Sequence, residues 1–206
     1  MLTAMEPDHA DRAMSAVHPI SGLPRFAVVD IETSGLSTSR DRILQVAVVS
    51  VVDGSIVDEW SSLLKLSWPL QRVGPRKVHG ITRKMLRGAP PRREVLEALL
   101  DRIDGAVFTA HNVRFDWPFI ERAARQAGLS VVTPPRLCTL RLSRQLDPER
   151  QLSHRLGDVC ERYGVTNQRP HDAVYDARAT ASILEHLLQG HGVQSAADLD
   201  ALYERR

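Results

Sequence analysis

The run Phe26-Ala27-Val28-Val29-Asp30-Ile31 is almost unbroken in its apolar, β-branched character, and it ends in charge. Such a run reads as a strand buried on both faces, and so belongs at the middle of a sheet. Side chains alternate along a strand, so Asp30 and Glu32 project to the same side, next to each other at its carboxyl end. Two unit charges about 4 Å apart repel by about 4 kcal/mol at an effective dielectric near ~20. Crowded carboxylates there would destabilise the fold or take up protons unless a cation holds them. Oxygen-only donors with no cysteine among them favour a pair of Mg²⁺ or Mn²⁺ ions over zinc.

Two further segments carry acids beside histidines. His111-Asn112-Val113-Arg114-Phe115-Asp116 follows a short apolar strand at 106–110 and opens a helix whose stripe runs Asp116, Ile120, Ala123, Ala127. Pro118 fits the first turn of that helix, and His111 or Asn112 marks the strand-to-helix corner. Taken alone, a first-turn acid such as Asp116 is explained by the helix dipole. In His171-Asp172-Ala173-Val174-Tyr175-Asp176, Asp172 reads as the N-cap of a helix with the stripe Ala177, Ala181, Leu184, Leu188, and Asp176 falls in its first turn. On a continuous helix His171 would stand about 140° from Asp176, so it is expected on the preceding loop, free to swing over the acids.

The rest of the chain alternates. Residues 42–52 and 55–66 flank Asp53-Gly54, a hairpin signal, so the first three strands are expected to form an antiparallel meander. Helices are expected at 94–103, 115–127, 137–146, 153–163 and 173–188, with a strand near Val131-Val132 limited by Pro134-Pro135. The pattern predicts an α/β layer arrangement around a mixed sheet, the meander plus parallel strands, flanked by helices. The boundaries predicted are a mobile N-terminal tail over 1–24, one domain over 25–189, and a short C-terminal tail over 190–206 carrying Leu199, Leu202 and Tyr203 on a short helix.

Composition excludes more than it specifies. A chain of 206 residues suits one domain, and a net charge of +2 proves no nucleic-acid partner. Arginines nevertheless recur around the acidic centre: Arg83, Arg87, Arg92 and Arg93 with Lys84, then Arg136, Arg141, Arg144, Arg150 and Arg155. Any one of these is explained as a solvated face, but together they offer basic surface to a phosphate-rich partner. Cys138 and Cys160 form no Cys-x-x-Cys pair, which points to neither a disulfide framework nor a zinc site, and a cytoplasmic location is the expectation. No run approaches the roughly 20 apolar residues of a membrane span.

In order, Asp-x-Glu-Thr-Ser-Gly at Asp30, His-Asn-x-x-Phe-Asp at His111 and His-Asp-Ala-x-x-Asp at His171 resemble the three motifs of the DEDDh 3′→5′ exonucleases, the group containing the proofreading epsilon subunit of bacterial DNA polymerase III. The stretches Val78-His79-Gly80-Ile81-Thr82 and Leu156-Gly157-Asp158-Val159-Cys160 agree, and the resemblance covers residues 25–189. It implies a ribonuclease-H-like fold and a two-metal enzyme that releases nucleoside 5′-monophosphates from single-stranded DNA 3′ ends, in proofreading, repair or end-trimming. Asp30 would bridge both Mg²⁺ or Mn²⁺ ions, Glu32 and Asp176 would complete the first site, Asp116 would help hold the second through water, and His171 would be the general base. Backbone around Thr33 and the side chains of Leu36, His79, His111, Asn112 and Phe115 would lie near the terminal nucleotide. RNA ends are an alternative substrate, and an inactive nucleic-acid-binding protein a further alternative that all five filled positions disfavour. A DNA polymerase catalytic subunit is a candidate partner, although the epsilon pattern continues past residue 189 with a longer tail, so a free-standing exonuclease acting in repair or end-trimming is at least an equal expectation.

Overall fold

Five strands build a single sheet in the order β3-β2-β1-β4-β5, in a computed structural model that describes residues 20–66, 68 and 70–205. β1 spans Phe26–Thr33, β2 Ile43–Val52, β3 Ser55–Leu63, β4 Val107–Ala110 and β5 Arg136–Cys138. The first three pair antiparallel as the meander expected, and β4 and β5 join parallel to β1. The hairpin turn is the two-residue type that Asp-Gly favours: Asp53 and Gly54 have φ of 46° and 71°, and Val52 pairs with Ser55.

β1 is central and buried on both faces, with Ala27, Val28 and Val29 at most 1% exposed. Its residues sort by parity. Ala27, Val29 and Ile31 meet α3 (Arg92–Ile103) and α4 (Val113–Gln126), whereas Phe26 and Val28 meet α5 (Thr139–Gln145), α6 (Leu156–Arg162) and above all α7 (Ala173–Gly190). Asp30 and Glu32 continue the row facing α7. Before α3 come two short helices, α1 (Arg76–His79) and α2 (Arg83–Arg87); Leu86 of α2 and Ile81 of the link between them pack with Leu44 and Val73. Neither was predicted as a helix, because neither is long enough to show a period.

Three expectations are corrected. Val131-Val132 is no strand, and Val132 is 81% exposed; β5 (residues 136–138) begins only after Pro134-Pro135, where N–H donors return, and it takes Leu137 and Cys138 from the start of the helix expected at 137–146. Pro118 lies inside α4, which starts at Val113 with Asn112 as its cap, so it occupies the second turn and leaves the Arg114 carbonyl without its usual donor. The predicted tail over 1–24 is already anchored before residue 25: the Ile20 N–H donates to Glu185 at 2.9 Å and Leu23 is buried in the α7 core. Residues 1–19 lie outside the described residues.

The chain closes with α8 (Ala196–Leu199), capped reciprocally by Ser195 and Asp198, and a 3₁₀ turn at Asp200–Leu202. Leu199, Leu202 and Tyr203 seat on the α7 core. No described helix is long and apolar enough to cross a membrane.

Candidate active site

Beyond Val28, which pairs with Thr109, β1 runs past the end of β4, and the crevice opens there, outside the carboxyl ends of the parallel strands. Into it β1 sends Asp30 and Glu32, α4 sends Asp116 from its first turn, and α7 sends Asp176 from its own. The cleft is about 470 Å³ and its walls include all eleven residues named from the sequence: Asp30, Glu32, Asp116, Asp176, His171, Thr33, Leu36, His79, His111, Asn112 and Phe115. Ile31, Gly35, Pro75, Val78 and Leu156 complete the walls, and of these only Pro75 lies outside the stretches quoted from the sequence. No lysine or arginine is among the described lining residues.

The electrostatics follow from four carboxylates in a crevice with no cationic side chain. Burial first, then Asp116, Asp176, Glu32 and Asp172 in turn, hold the Asp30 carboxyl well above its ordinary range. Burial followed by Asp176, Asp172 and Asp116 pushes Glu32 up to about 8, and burial pushes Asp116 to about 8 against opposing hydrogen bonds from its own backbone and from that of Ile31. Asp176 is raised less decisively, because Asn167 Nδ2 donates to it at 2.5 Å and the His171 N–H at 2.9 Å, bonds that favour the ionised form. A fifth acid, Asp172, sits at the α7 N-cap and accepts from Gln45 Nε2 at 3.2 Å; Gln45 is the β2 partner of Glu32. Asn167 and Gln45 were missed in the sequence, where nothing in their surroundings marks them.

A pH dependence follows directly. A carboxyl whose folded pKa lies above its unfolded one keeps its proton in the native state after the unfolded chain has lost it, so unfolding releases a proton and stability falls as pH rises through that window. For Glu32 and Asp116 the window runs from their ordinary values of 4.5 and 3.8 up to about 8. Metal-free protein is therefore expected to melt at a lower temperature at pH 8 than at pH 5.5, and Mg²⁺ or Mn²⁺ is expected to raise the melting point more at pH 8. Calorimetry at the two pH values, with chelator or metal, measures both effects; a melting point that rises with pH in chelator would contradict the crowding.

The three cleft histidines differ. His79 accepts the Ile81 N–H at Nδ1 (3.0 Å) and its Nε2 meets the Val73 carbonyl (3.1 Å), which requires the neutral ring protonated on Nε2; burial pushes its pKa down accordingly. His111 places Nε2 against the His154 carbonyl and Nδ1 against the Thr139 hydroxyl, both at 3.0 Å, so its nitrogens also serve the protein. These two shape the wall through their ring faces. His171 is exposed, stands in the left-handed region at φ 66° and has no hydrogen bond to its ring among the described residues. Glu32, His171 and Asp176 each present a ligand atom within 4.8 Å of the others.

The donor set suits a hard divalent cation: carboxylate oxygens predominate, their mutual repulsion is unrelieved by any protein cation in the lining, and no sulfur reaches the cleft.

Comparison with known proteins bears on this cleft. A family model described as an exonuclease, of the RNase T group, matches residues 27–184. The DNA polymerase III PolC-type of Lacticaseibacillus paracasei is 33% identical over 159 residues, 77% of this chain and 11% of that one. The PolC-type enzyme of Caldanaerobacter subterraneus subsp. tengcongensis is 35% identical over 184 residues, 88% of this chain and 13% of that one. This chain thus spans a small fraction of the length of those relatives. Among solved structures, exonuclease X in complex with 5′ overhanging duplex DNA superposes with a TM-score of 0.64 at 26% identity, covering 84% of this chain and 98% of that one. E. coli exonuclease I in complex with a dT13 oligonucleotide gives a TM-score of 0.69 at 17% identity, over 82% of this chain and 42% of that one, and supports the fold alone.

Proposed function

The chain belongs to the exonuclease family, and from that premise we propose that it is a metal-dependent 3′→5′ exonuclease that trims single-stranded DNA ends and releases nucleoside 5′-monophosphates. The observation that carries this reading is the convergence of Asp30, Glu32, Asp116 and Asp176 from three elements on one open cleft, with one unheld imidazole above them. Asp30 would serve two divalent ions, Mg²⁺ or Mn²⁺, with Glu32 and Asp176 completing one site and Asp116 supporting the other. Bound there, the ions would neutralise the charge that develops on phosphorus and lower the pKa of the attacking water.

The chain's own residues would do the rest. His171, with no hydrogen bond to its ring among the described residues, accepts the proton of the water at a ring nitrogen as the water oxygen bonds to phosphorus. The O3′–P bond breaks, the departing O3′ takes a proton from solvent, and the terminal residue leaves with its 5′-phosphate. Asn167 and the His171 N–H hold the Asp176 carboxylate in one orientation. Leu36, 83% exposed at the rim, and Phe115, tilted against Phe119 with ring centroids 5.1 Å apart, offer apolar surface to the terminal base and sugar beside the Thr33 backbone and Asn112, while His79 and His111 close the wall behind them.

DNA is preferred over RNA as substrate because the polymerase relatives are DNA polymerases and the exonuclease X structure holds DNA. The same likeness suggests a DNA polymerase catalytic subunit as a partner. The test is digestion of 5′-labelled single-stranded DNA and a matched RNA with Mg²⁺ or Mn²⁺, beside a 3′-blocked control. The expected result is a ladder shortening from the open 3′ end, faster on DNA. Faster digestion of RNA would reassign the enzyme to RNA ends, and shortening of the blocked strand would overturn the polarity.

A further inference from the structure

A second concavity of about 310 Å³ lies on the other side of the loop that carries Thr33 and Gly35, and Ser34 between them lines it. Its walls hold Arg40, Arg42 and Arg72, the single carboxylate of Asp41, and Trp68. Asp41 is turned into its own loop, accepting from Ser34 Oγ at 3.1 Å and the Ser37 N–H at 2.9 Å; a Cβ on Gly35 would stand 2.5 Å from it. Three guanidinium groups therefore share one carboxylate that is already committed. None of the three takes part in an ion pair among the described residues. Behind them, burial and then Arg42 push Arg92 down to about 10 and lower Arg122 as well, so cationic surface is concentrated here without an internal anion to match it. Arg42 stands over the Trp68 ring at 5.9 Å, and Trp68 is 47% exposed, whereas Trp117 is 3% exposed.

We propose that this pocket holds the body of the polynucleotide whose 3′ end lies in the cleft, with Arg40, Arg42 and Arg72 on its phosphodiesters and Trp68 against a base. Interleaved guanidinium groups and an aromatic face are the chemistry that tracks a single strand without reading its sequence. The position fixes which part of the strand is meant. Cleft and pocket are divided by one thickness of loop, held in place because Gly74, at φ 76°, approaches the Ser34 backbone so closely that a Cβ would stand 2.5 Å from its carbonyl oxygen. A strand leaving the cleft across the exposed Leu36 meets the arginines next.

The inference rests on the exonuclease reading for the identity of the strand, and its test separates the two. Binding of a 5′-fluorescein thymidine 20-mer is measured by anisotropy in Ca²⁺ over a series of KCl concentrations, with the full chain and with Arg40→Ala/Arg72→Ala. Both positions are exposed, and an unchanged melting point checks the fold of the variant. The expected result is a dissociation constant raised about tenfold and a log–log salt slope shallower by about 1.4, two phosphate contacts at about 0.7 each. Quenching of tryptophan fluorescence by the 20-mer, absent in Trp68→Phe, is the second expected result. Equal affinity and equal slope for the two proteins would overturn the pocket. Inorganic phosphate that relieves the quenching as well as the 20-mer produces it would make this an anion site and overturn the strand. Hydrolysis of a thymidine dinucleotide by the unaltered protein reports separately on the exonuclease reading.

Discussion

Asp30→Asn is expected to slow hydrolysis by at least about 10³-fold, upward of about 4 kcal/mol of transition-state stabilisation, while making the metal-free protein more stable. The two effects have one origin. Asp30 sits at the centre of the acidic cluster, its carboxyl pushed up by burial and by Asp116, Asp176, Glu32 and Asp172. A neutral amide of the same shape relieves that repulsion, and for a chain of this size each kcal/mol relieved corresponds to about 2–4 °C in melting temperature. The same amide is a poor bridge between two cations, so the stabilisation that Mg²⁺ or Mn²⁺ gives the unaltered protein is expected to be largely lost. Scanning calorimetry in chelator and in metal reads both changes on one sample. Normal metal stabilisation of Asp30→Asn would show that Asp30 is not the shared ligand.

His171→Asn is expected to lower the single-turnover rate about 10²–10⁴-fold with metal affinity retained, the usual contribution of a positioned general base. Asparagine is the informative replacement because position 171 has φ 66°, a region it tolerates better than alanine does. The backbone N–H that supports Asp176 also survives the change. The alternative is written into the same geometry, since Glu32, His171 and Asp176 lie within 4.8 Å of one another at their ligand atoms. If His171 is a ligand, calorimetric titration will show metal affinity falling along with the rate.

What was legible in the sequence had rigid periodicity behind it. Strand parity put Asp30 and Glu32 on one face, and first-turn positions put Asp116 and Asp176 on helices that open toward it. The Asp53-Gly54 turn set the register of the meander. Where periodicity is short the reading failed: β5 is three residues long, and Leu137-Cys138 is as apolar as the helix it precedes, so only its pairing with β4 makes it a strand. The histidines show a different limit. His79, His111 and His171 look alike as motif residues, yet two have both ring nitrogens bound to the protein by partners 2 to 43 positions away, which no spacing rule reports. Gln45, 127 residues from the Asp172 it supports, and the arginine pocket beside Trp68 are likewise products of tertiary approach.

Hydrolysis in H₂¹⁸O with Mg²⁺ or Mn²⁺, followed by mass spectrometry of the products, tests the central claim most directly. If water attacks phosphorus at the 3′ end and the O3′–P bond breaks, each released nucleoside 5′-monophosphate carries one ¹⁸O on its phosphate and the shortened strand carries none. Release of nucleoside 3′-monophosphates, or label on the remaining strand, would contradict the account.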